Sequence, residues 1–457
     1  MAAELIISVS GMRGIVGENL TSAVAAEYGC AFGTYLKSVF SKQGRLRVCI
    51  GQDSRPSGRM LKTAVATGLC SVGIDVIDLG IVTTPCVGIM VRYLGAVGGI
   101  VVTASHNPLP YNGIKLLLDS GVAPPAPVAQ QIRQLYFAKN FKLVDSAQCG
   151  KVAGNDQTDS VHIGKVLALV DKNLIASKKF TVALDCINGS GGRINKKLLG
   201  EFGCRVVAIN DEPTGLFAHA PEPTGENVTQ LCEVVVENRA DIGFALDPDA
   251  DRLAIVDDKG KYIGEEYTLA LAAKYIFGTK RGKAAANLST SRMIDDIAAV
   301  YGCQVIRTPV GEANVASAMI ENNCVIGGEG NGGVIDLRVG PIRDSLVGIA
   351  LVLQMMAESG KSIGSLVSEI FAYYMKKEKF TADKALAQKI LEQAKGVFTD
   401  ARLNTADGCR FDFKDAWLHM RTSNTEPVMR VIVEAKDREA AQKYLDAVYK
   451  IRDQIGK

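Results

Sequence analysis

The chain has 457 residues, of which 47% are hydrophobic, so it is long enough for several domains with well-filled cores. Its 52 basic and 49 acidic residues nearly balance, for a net charge of +3, and the sequence contains no long block of like charges. This balance gives no sign of a nucleic-acid or membrane partner.

The cysteines and the apolar runs indicate the cellular compartment in which the protein is expected. Eleven cysteines form an odd set without a Cys-x-x-Cys pair. Many stand in apolar surroundings, as Cys49, Cys186 and Cys303 do, where a small buried side chain is the better interpretation. Residues 5–7 are too short for the apolar part of a signal sequence, and no apolar run approaches the ~20 residues of a membrane span. We therefore expect a reduced, cytoplasmic protein.

A weak internal repeat organises most of the chain. Three apolar segments, each typical of a strand, enter a polar loop and then a stretch with helical periodicity. The strands are expected at residues 48–51, 182–185 and 285–288, and the helices at residues 59–70, 192–202 and 292–301. The pattern predicts three related α/β units. Residues 145–159 and 259–261 are expected to be linkers, and the chain changes character after residues 362–364.

The first chemically informative segment is residues 103–108, Thr-Ala-Ser-His-Asn-Pro. It follows the apolar run 99–102, so Ser105 is expected at the rim of a sheet, where α/β folds bind ligands. An ordinary turn is the alternative, because Asn-Pro is common turn chemistry.

The second segment carries three alternating acids, Asp247, Asp249 and Asp251. Both flanks, residues 242–246 and 253–256, resemble buried strands, so the acids should lie on the connecting loop. Converging carboxylates repel one another unless a cation joins them, and hard oxygen ligands suit Mg²⁺ or Ca²⁺. An EF-hand fits badly, because Arg252 and Asp258 stand where such a loop needs Gly and Glu. A solvated acidic hairpin remains the alternative.

Two further segments have the composition of ligand-binding loops. In the glycine-rich residues 327–333, Glu329 and Asn331 could bind sugar hydroxyls, although a flexible turn explains the glycines equally well. Residues 421–427 combine an arginine fork with hydroxyl and amide side chains, which is the donor inventory of a phosphate site. The alternative there is a polar turn before the strand expected at residues 428–433.

Taken together, these four segments resemble the α-D-phosphohexomutase family of phosphoglucomutases, phosphomannomutases and phosphoglucosamine mutases. The order and approximate spacing agree along essentially the whole chain. Further matches are residues 11–14, 51–58, 111–115 and 222–227.

The resemblance implies an α/β fold, with three related α/β domains plus a smaller α+β C-terminal domain around a central cleft. The expected domains are residues 1–155 with the phosphoserine loop, 156–258 with the metal loop, 259–367 with the sugar loop and 368–457 with the phosphate-binding loop. It also implies reversible 6-phosphate/1-phosphate interconversion of a hexose. A phosphorylated enzyme nucleophile is needed because no single in-line step joins two distant hydroxyls.

The resemblance also implies roles for individual residues. Ser105 would carry the phosphate, with one Mg²⁺ per chain held by the Ser105 phosphate and the three aspartates, and a hexose 1,6-bisphosphate would be intermediate and activator. Lys115 and Arg13 would transfer protons and stabilise charge, and His106 would orient the serine loop. The expected substrate-binding residues are Arg252, Glu329, Asn331, Arg421, Ser423, Asn424, Thr425 and Arg430.

Two positions depart from the family pattern. Asn424 stands where relatives often have Gly, and Gly333 stands where many place a histidine beside the substrate.

The sugar is expected to be glucosamine phosphate, with glucose and mannose phosphates as alternatives, and Glu312 or Ser291 is the expected discriminator at C2. A phosphosugar phosphatase and a non-catalytic sensor are the other functions considered. The expected partner is a small phosphosugar, and either a monomer or a homodimer is compatible with the sequence.

Overall fold

A computed structural model describes residues 5–9, 11–422 and 428–455 of the chain. The first sheet belongs to an N-terminal unit. Its elements are β1 (Ile6–Ser8), β2 (Gly11–Ile15), α1 (Ser22–Val39), β3 (Arg47–Gln52), α2 (Gly58–Ser71), β4 (Asp75–Ile81), α3 (Thr84–Leu94), β5 (Gly98–Val102), β6 (Tyr111–Leu118), α4 (Ala126–Phe137) and β7 (Val152–Gly154).

The second and third units follow in chain order. The second contains α5 (Thr158–Leu167), α6 (Lys172–Lys178), β8 (Thr181–Asp185), α7 (Gly192–Glu201), β9 (Arg205–Ile209), α8 (Thr229–Glu237), β10 (Ile242–Leu246) and β11 (Leu253–Val256). The third contains α9 (Glu266–Thr279), β12 (Lys283–Asn287), α10 (Met293–Val300), β13 (Gln304–Thr308), α11 (Glu312–Glu321), β14 (Ile326–Glu329), β15 (Gly333–Ile335), α12 (Ser345–Ser359) and α13 (Ile363–Ser368).

The C-terminal unit is built differently. Its elements are β16 (Tyr374–Thr381), α14 (Lys384–Val397), β17 (Arg402–Asn404), β18 (Cys409–Asp412), β19 (Ala416–Thr422), β20 (Val428–Ala435) and α15 (Arg438–Ile455). Its strands form one antiparallel sheet in the order β16-β20-β19-β18-β17. This is the α+β unit that the sequence predicts.

The three α/β units share one strand arrangement. In each, a central strand pairs in parallel with both neighbours, and an antiparallel strand follows on one side. The matching orders are β4-β3-β5-β6, β9-β8-β10-β11 and β13-β12-β14-β15. The prediction of three related α/β units is therefore confirmed.

The expected linker at residues 145–159 is partly wrong. Residues 152–154 form β7, which pairs in parallel with β4 at the edge of the first sheet, and α5 begins at Thr158. All of β7 is exposed. Its sequence, Val-Ala-Gly, is too short to show a strand periodicity, and backbone pairing holds it at the sheet edge.

Packing joins the first three units more closely than the fourth. A continuous apolar core runs through α3 of the first unit and through the second and third units, whereas the C-terminal unit has its own core. Helix α12 is buried on every side from Ser345 to Ala357, as expected for a helix that is apolar all round. Among the described residues, no helix is both long and apolar enough to cross a membrane.

Candidate active site

The same connection in each α/β unit carries a segment singled out in the sequence. It leads from the last parallel strand to the antiparallel strand: residues 103–110 between β5 and β6, 247–252 between β10 and β11, and 330–332 between β14 and β15. We call these the serine loop, the metal loop and, together with Glu329 at the end of β14, the sugar loop. Contacts among them bring the three units together at one site.

The serine loop is held by a buried ion pair. Arg55 donates to the carbonyl oxygens of Ser105 and Asn107, both at 2.6 Å, and to that of Tyr111 at 3.0 Å. Its Nε lies 3.1 Å from Asp53 Oδ2, and both side chains are fully buried. Ser105 has a φ of +50°, in the left-handed region that costs a non-glycine residue roughly 1–2 kcal/mol. The hydrogen bonds from Arg55 thus hold the serine in an unusual backbone conformation.

Sequence reasoning assigned no role to Arg55 and Asp53, although it noted the segment that contains them. Their spacing, two residues apart just after β3, was the available signal, because the Asp53 carboxylate also accepts from the backbone N–H of Arg55 at 2.9 Å. Asp53 further accepts from Thr103 Oγ1 at 2.6 Å, which ties this pair to the start of the serine loop.

The Ser105 hydroxyl points at the metal loop. Its Oγ lies 3.1 Å from Asp247 Oδ2 and 3.3 Å from His106 Nδ1. Burial, together with the charges of Arg252 and Arg13, lowers the pKa of His106. The imidazole is therefore neutral at pH 7 and its ring contacts the serine without adding charge.

Asp247, Asp249 and Asp251 are each fully buried and form a group that could hold a metal ion, with ligand atoms within 4.8 Å of one another. Asp249 Oδ2 accepts from Thr84 Oγ1 at 2.5 Å and from Lys115 Nζ at 2.6 Å. The other oxygens, Asp249 Oδ1 and Asp251 Oδ1, are buried without a hydrogen-bond partner. Orphaned carboxylate oxygens are the kind of ligand that a hard divalent cation binds, so the residues of this loop fit such an ion.

The charges in this group are unequal. Burial and the neighbouring carboxylates raise the pKa of Asp247 well above its usual range. Burial also opposes the ionisation of Asp249, but the ammonium of Lys115 and the hydrogen bonds from Lys115 and Thr84 outweigh it and lower that pKa. Burial opposes the charge of Lys115, while Asp249 and Asp251 raise its pKa. Lys115 is therefore an ammonium.

Two further arginines contact the serine loop and the metal loop. Arg13, on β2, donates from NH1 to Asn107 Oδ1 of the serine loop at 2.8 Å. The backbone N–H of Arg252 donates to Asp247 Oδ1 at 3.1 Å, and its guanidinium lies 2.9 Å from Glu222 Oε1. Together with Lys115, these residues form a cationic wall around an acidic centre.

The sugar loop is linked to the metal loop by a residue that sequence reasoning missed. Glu329 accepts from Asn287 Nδ2 at 2.7 Å, from the backbone N–H of Gly311 at 3.2 Å and from Arg343 NH1 at 2.7 Å. Arg343 NH2 in turn donates to Asp251 Oδ2 at 2.6 Å. The available signal was a charged Arg-Asp pair standing directly before the apolar helix α12.

Asn331 and the two proposed C2 discriminators have different surroundings. Asn331 Oδ1 is buried without a hydrogen-bond partner. Glu312 Oε1 accepts from the backbone N–H of Arg343 at 2.6 Å, and burial raises the Glu312 pKa to about 7. Ser291 Oγ accepts from the backbone N–H of Met293, the first residue of α10, at 3.1 Å.

The C-terminal unit contributes Arg421 at the end of β19. Its Nε donates to Asp407 Oδ2 at 3.0 Å, and the same oxygen accepts from the backbone N–H of Val310 at 3.0 Å. Arg421 is thereby linked to the segment that binds Glu329. Arg430 is exposed on β20, directly opposite Arg421. Ser423, Asn424 and Thr425 lie outside the described residues.

Four family models match the chain in order. They are described as phosphoglucomutase/phosphomannomutase alpha/beta/alpha domain I, over residues 5–143, domain II, over residues 160–260, domain III, over residues 265–374, and the C-terminal domain, over residues 374–451. Each of the first three models contains the three parallel strands and the antiparallel strand shared by the α/β units.

Curated proteins and a solved structure agree. A phosphoglucomutase/phosphomannomutase from Thermococcus kodakarensis is 39% identical over 455 residues, or 97% of each chain. A probable phosphoglucosamine mutase from Methanopyrus kandleri is 34% identical over 96% of this chain and 95% of its own. The structure of a phosphoglucomutase/phosphomannomutase family protein from Burkholderia thailandensis has a TM-score of 0.87 at 25% identity, covering 99% of this chain and 97% of that one. Models for all four domains and relatives matched along their whole length leave one conclusion: the chain belongs to the α-D-phosphohexomutase family, whose members are isomerases.

Proposed function

We propose that the protein interconverts a hexose 6-phosphate and a hexose 1-phosphate through a phosphoserine at Ser105. The observation that carries this proposal is the approach of Ser105 Oγ to Asp247 Oδ2, at 3.1 Å, beside two orphaned carboxylate oxygens. The Ser105 hydroxyl is the nucleophile in this proposal, and it lies next to a group that can bind a cation. Phosphoryl transfer needs a nucleophile and a cation in this arrangement.

The transfer has two balanced steps. A sugar hydroxyl attacks the phosphorus of phosphoserine, so a new O–P bond forms while the bond to Ser105 Oγ breaks; the proton of the sugar hydroxyl is transferred to Ser105 Oγ, and a hexose 1,6-bisphosphate results. After the bisphosphate turns over in the site, Ser105 Oγ bonds to the phosphorus of the other phosphate while the bond from that phosphorus to the sugar oxygen breaks, and the serine hydroxyl proton is transferred to the sugar oxygen. The same bisphosphate, added in trace amounts, would phosphorylate resting enzyme.

Asp247, Asp249 and Asp251 would hold one Mg²⁺ per chain together with the Ser105 phosphate. When bound, the ion would supply charge neutralisation at the transferring group. Lys115 holds its proton at Nζ, next to Asp249, and can donate a hydrogen bond to the reacting oxygen. Arg13 and Arg252 stabilise the phosphate charge, and His106 orients the serine.

Substrate binding would be shared between the sugar loop and the C-terminal unit. Glu329 and Asn331 are proposed to contact sugar hydroxyls, with the orphaned Asn331 Oδ1 as one acceptor. The distal phosphate would bind the segment containing Arg421, Ser423, Asn424 and Thr425, with Arg430 beside it. Because a phosphate offers the same oxygens from either end of the bisphosphate, one site serves both orientations.

Glucosamine 6-phosphate is our proposed substrate, with glucose and mannose phosphates as alternatives. The argument rests on Glu312, whose carboxylate lies against Arg343 on the rim of this site. A carboxylate near C2 favours an ammonium over a hydroxyl through a charge-assisted hydrogen bond. Since the Glu312 pKa is about 7, that preference should weaken as the pH falls below 7 and the carboxylate takes up a proton.

The test is phosphorus NMR of the full chain with each hexose 6-phosphate, Mg²⁺ and a trace of the matching bisphosphate. A mutase gives the 1-phosphate without net inorganic phosphate, whereas a phosphatase releases it. Ser105→Ala should abolish turnover and the phosphopeptide containing residue 105, while Ser120→Ala, in the exposed turn after β6, should change neither. Normal turnover by Ser105→Ala would refute the proposal.

A further inference from the structure

The space beside Gly333 is already filled. A Cβ built on Gly333 would lie 2.2 Å from Cδ of Arg343, so the aliphatic stem of that arginine occupies the volume a side chain at 333 would take. Gly333 pairs with Glu329 across the antiparallel strands β14 and β15. Directly paired residues project side chains on the same face, so the arginine stem lies next to Glu329.

The guanidinium of Arg343 spans two loops from different units. NH1 donates to Glu329 Oε2 at 2.7 Å, and NH2 donates to Asp251 Oδ2 at 2.6 Å. The planar fork satisfies both carboxylates at once, which a single ammonium cannot do with the same geometry. Lys115 Nζ also lies 3.4 Å from Asp251 Oδ2, whereas Asp251 Oδ1 is buried without a hydrogen-bond partner.

The backbone that carries Arg343 is fixed from both sides. Its N–H donates to Glu312 Oε1 at 2.6 Å, and the next N–H, of Asp344, donates to the carbonyl of Val334 at 2.8 Å. The Asp344 carboxylate caps α12 through the N–H of Leu346 at 2.9 Å and lies 2.6 Å from His162 Nε2 of the second unit. The arginine therefore enters the site from a rigid segment.

We propose that Arg343 is a positioning residue that couples the metal loop to the sugar loop, an inference that rests on the proposed function. It holds Asp251 through Oδ2 and holds Glu329 through Oε2, in place for the sugar. Its positive charge also opposes cation binding, because it contacts a ligand directly. Removing the arginine should therefore strengthen metal binding while it weakens catalysis, a divergence that simple loss of structure would not produce.

Three variants of the full chain separate these effects. Arg343→Met removes the charge and keeps the stem, Arg343→Lys keeps a charge and loses the fork, and Arg338→Met is the matched control. Arg338 precedes Arg343 on the same segment and pairs with Asp336 instead. Near-native unfolding temperatures would establish that each variant is folded.

Mn²⁺ affinity, measured by electron paramagnetic resonance without sugar, is the readout that does not depend on activity. We expect Arg343→Met to bind Mn²⁺ about threefold more tightly or better, and Arg343→Lys to bind it as the wild type does. Both should lose about tenfold or more in kcat/KM, and Arg338→Met should lose nothing. Weaker Mn²⁺ binding by Arg343→Met, or kcat/KM within twofold of wild type in both variants, would overturn the proposal.

A double-mutant cycle tests the coupling itself. Glu329 is not a proposed metal ligand, so Glu329→Gln should change Mn²⁺ affinity only through Arg343. The change should disappear when Arg343→Met is already present, whereas equal effects in both backgrounds would overturn the coupling. These binding data stand even if the wild type shows no mutase turnover, so failure of the proposed function and failure of this inference are distinguishable.

Discussion

Glu266 should make the protein less stable as the pH rises. It begins α9, and its Oε2 accepts from the backbone N–H of Ser291 at 2.9 Å, while Oε1 is buried without a hydrogen-bond partner. Lys377 Nζ lies 3.6 Å from Oε1 but makes its closer contact, at 2.6 Å, with Glu265. Burial, with added repulsion from Glu265 and Glu434 and despite Lys377, raises the Glu266 pKa to about 8.

The direction in which stability changes with pH follows from the protons bound by the folded and unfolded states. The ordinary pKa of this group is 4.5, so between that value and about 8 the folded state holds a proton that the unfolded state has lost. Stability is greatest below the lower value and falls as the pH rises through the interval. From pH 5 to pH 8 the expected loss is roughly 3 kcal/mol, because the full slope of about 1.4 kcal/mol per pH unit applies only between the two pKa values and flattens near each of them.

Glu266→Gln keeps the size of the side chain and an acceptor for Ser291, and it removes the titration. We expect its stability in urea to exceed that of wild type by roughly 3 kcal/mol more at pH 8 than at pH 5. Glu265→Gln is the control, because it removes the carboxylate that holds Lys377 most closely and should not stabilise the protein at either pH. A Glu266→Gln advantage that is the same at both pH values would refute the reasoning.

Four more substitutions test the site. Asp249→Asn should raise the Mg²⁺ concentration for half-maximal turnover about tenfold or more, and unchanged Mg²⁺ dependence would exclude Asp249 as a ligand. Arg421→Ala should mainly raise KM, with incomplete rescue by Arg421→Lys because the planar fork is lost; an unchanged KM would remove Arg421 from the phosphate site. Glu312→Gln should narrow the kcat/KM gap between glucosamine and glucose phosphates, and a constant ratio would remove Glu312 from the specificity argument. Arg55→Met should cost about 3–5 kcal/mol of stability, measured by urea unfolding, because it leaves the buried Asp53 carboxylate unpaired; a loss below about 1 kcal/mol would contradict that pairing.

The sequence by itself determined the family and the local chemistry of each loop. An apolar run that ends in polar residues indicates the end of a strand, and such runs end before Ser105 and before Asp247. This signal depends only on local composition. The three acids at alternate positions were visible as a candidate cation group for the same reason, since residues so close along the chain cannot separate far in space. The repeat of strand, loop and helix was also local, and it predicted three related units correctly.

Only the tertiary structure decided which loops meet. The equivalence of the serine, metal and sugar loops depends on strand order, which pairs segments far apart in the chain and leaves no periodic trace. Arg343 illustrates this limit, because its partners Asp251 and Glu329 are 92 and 14 residues away in the chain. The residues next to Arg343 in the sequence do not predict these contacts. The exposed strand β7 was missed in the same way, because backbone pairing holds it at the sheet edge. Side-chain identity sets what a loop can bind, but the packing of one unit against another sets the charge around it.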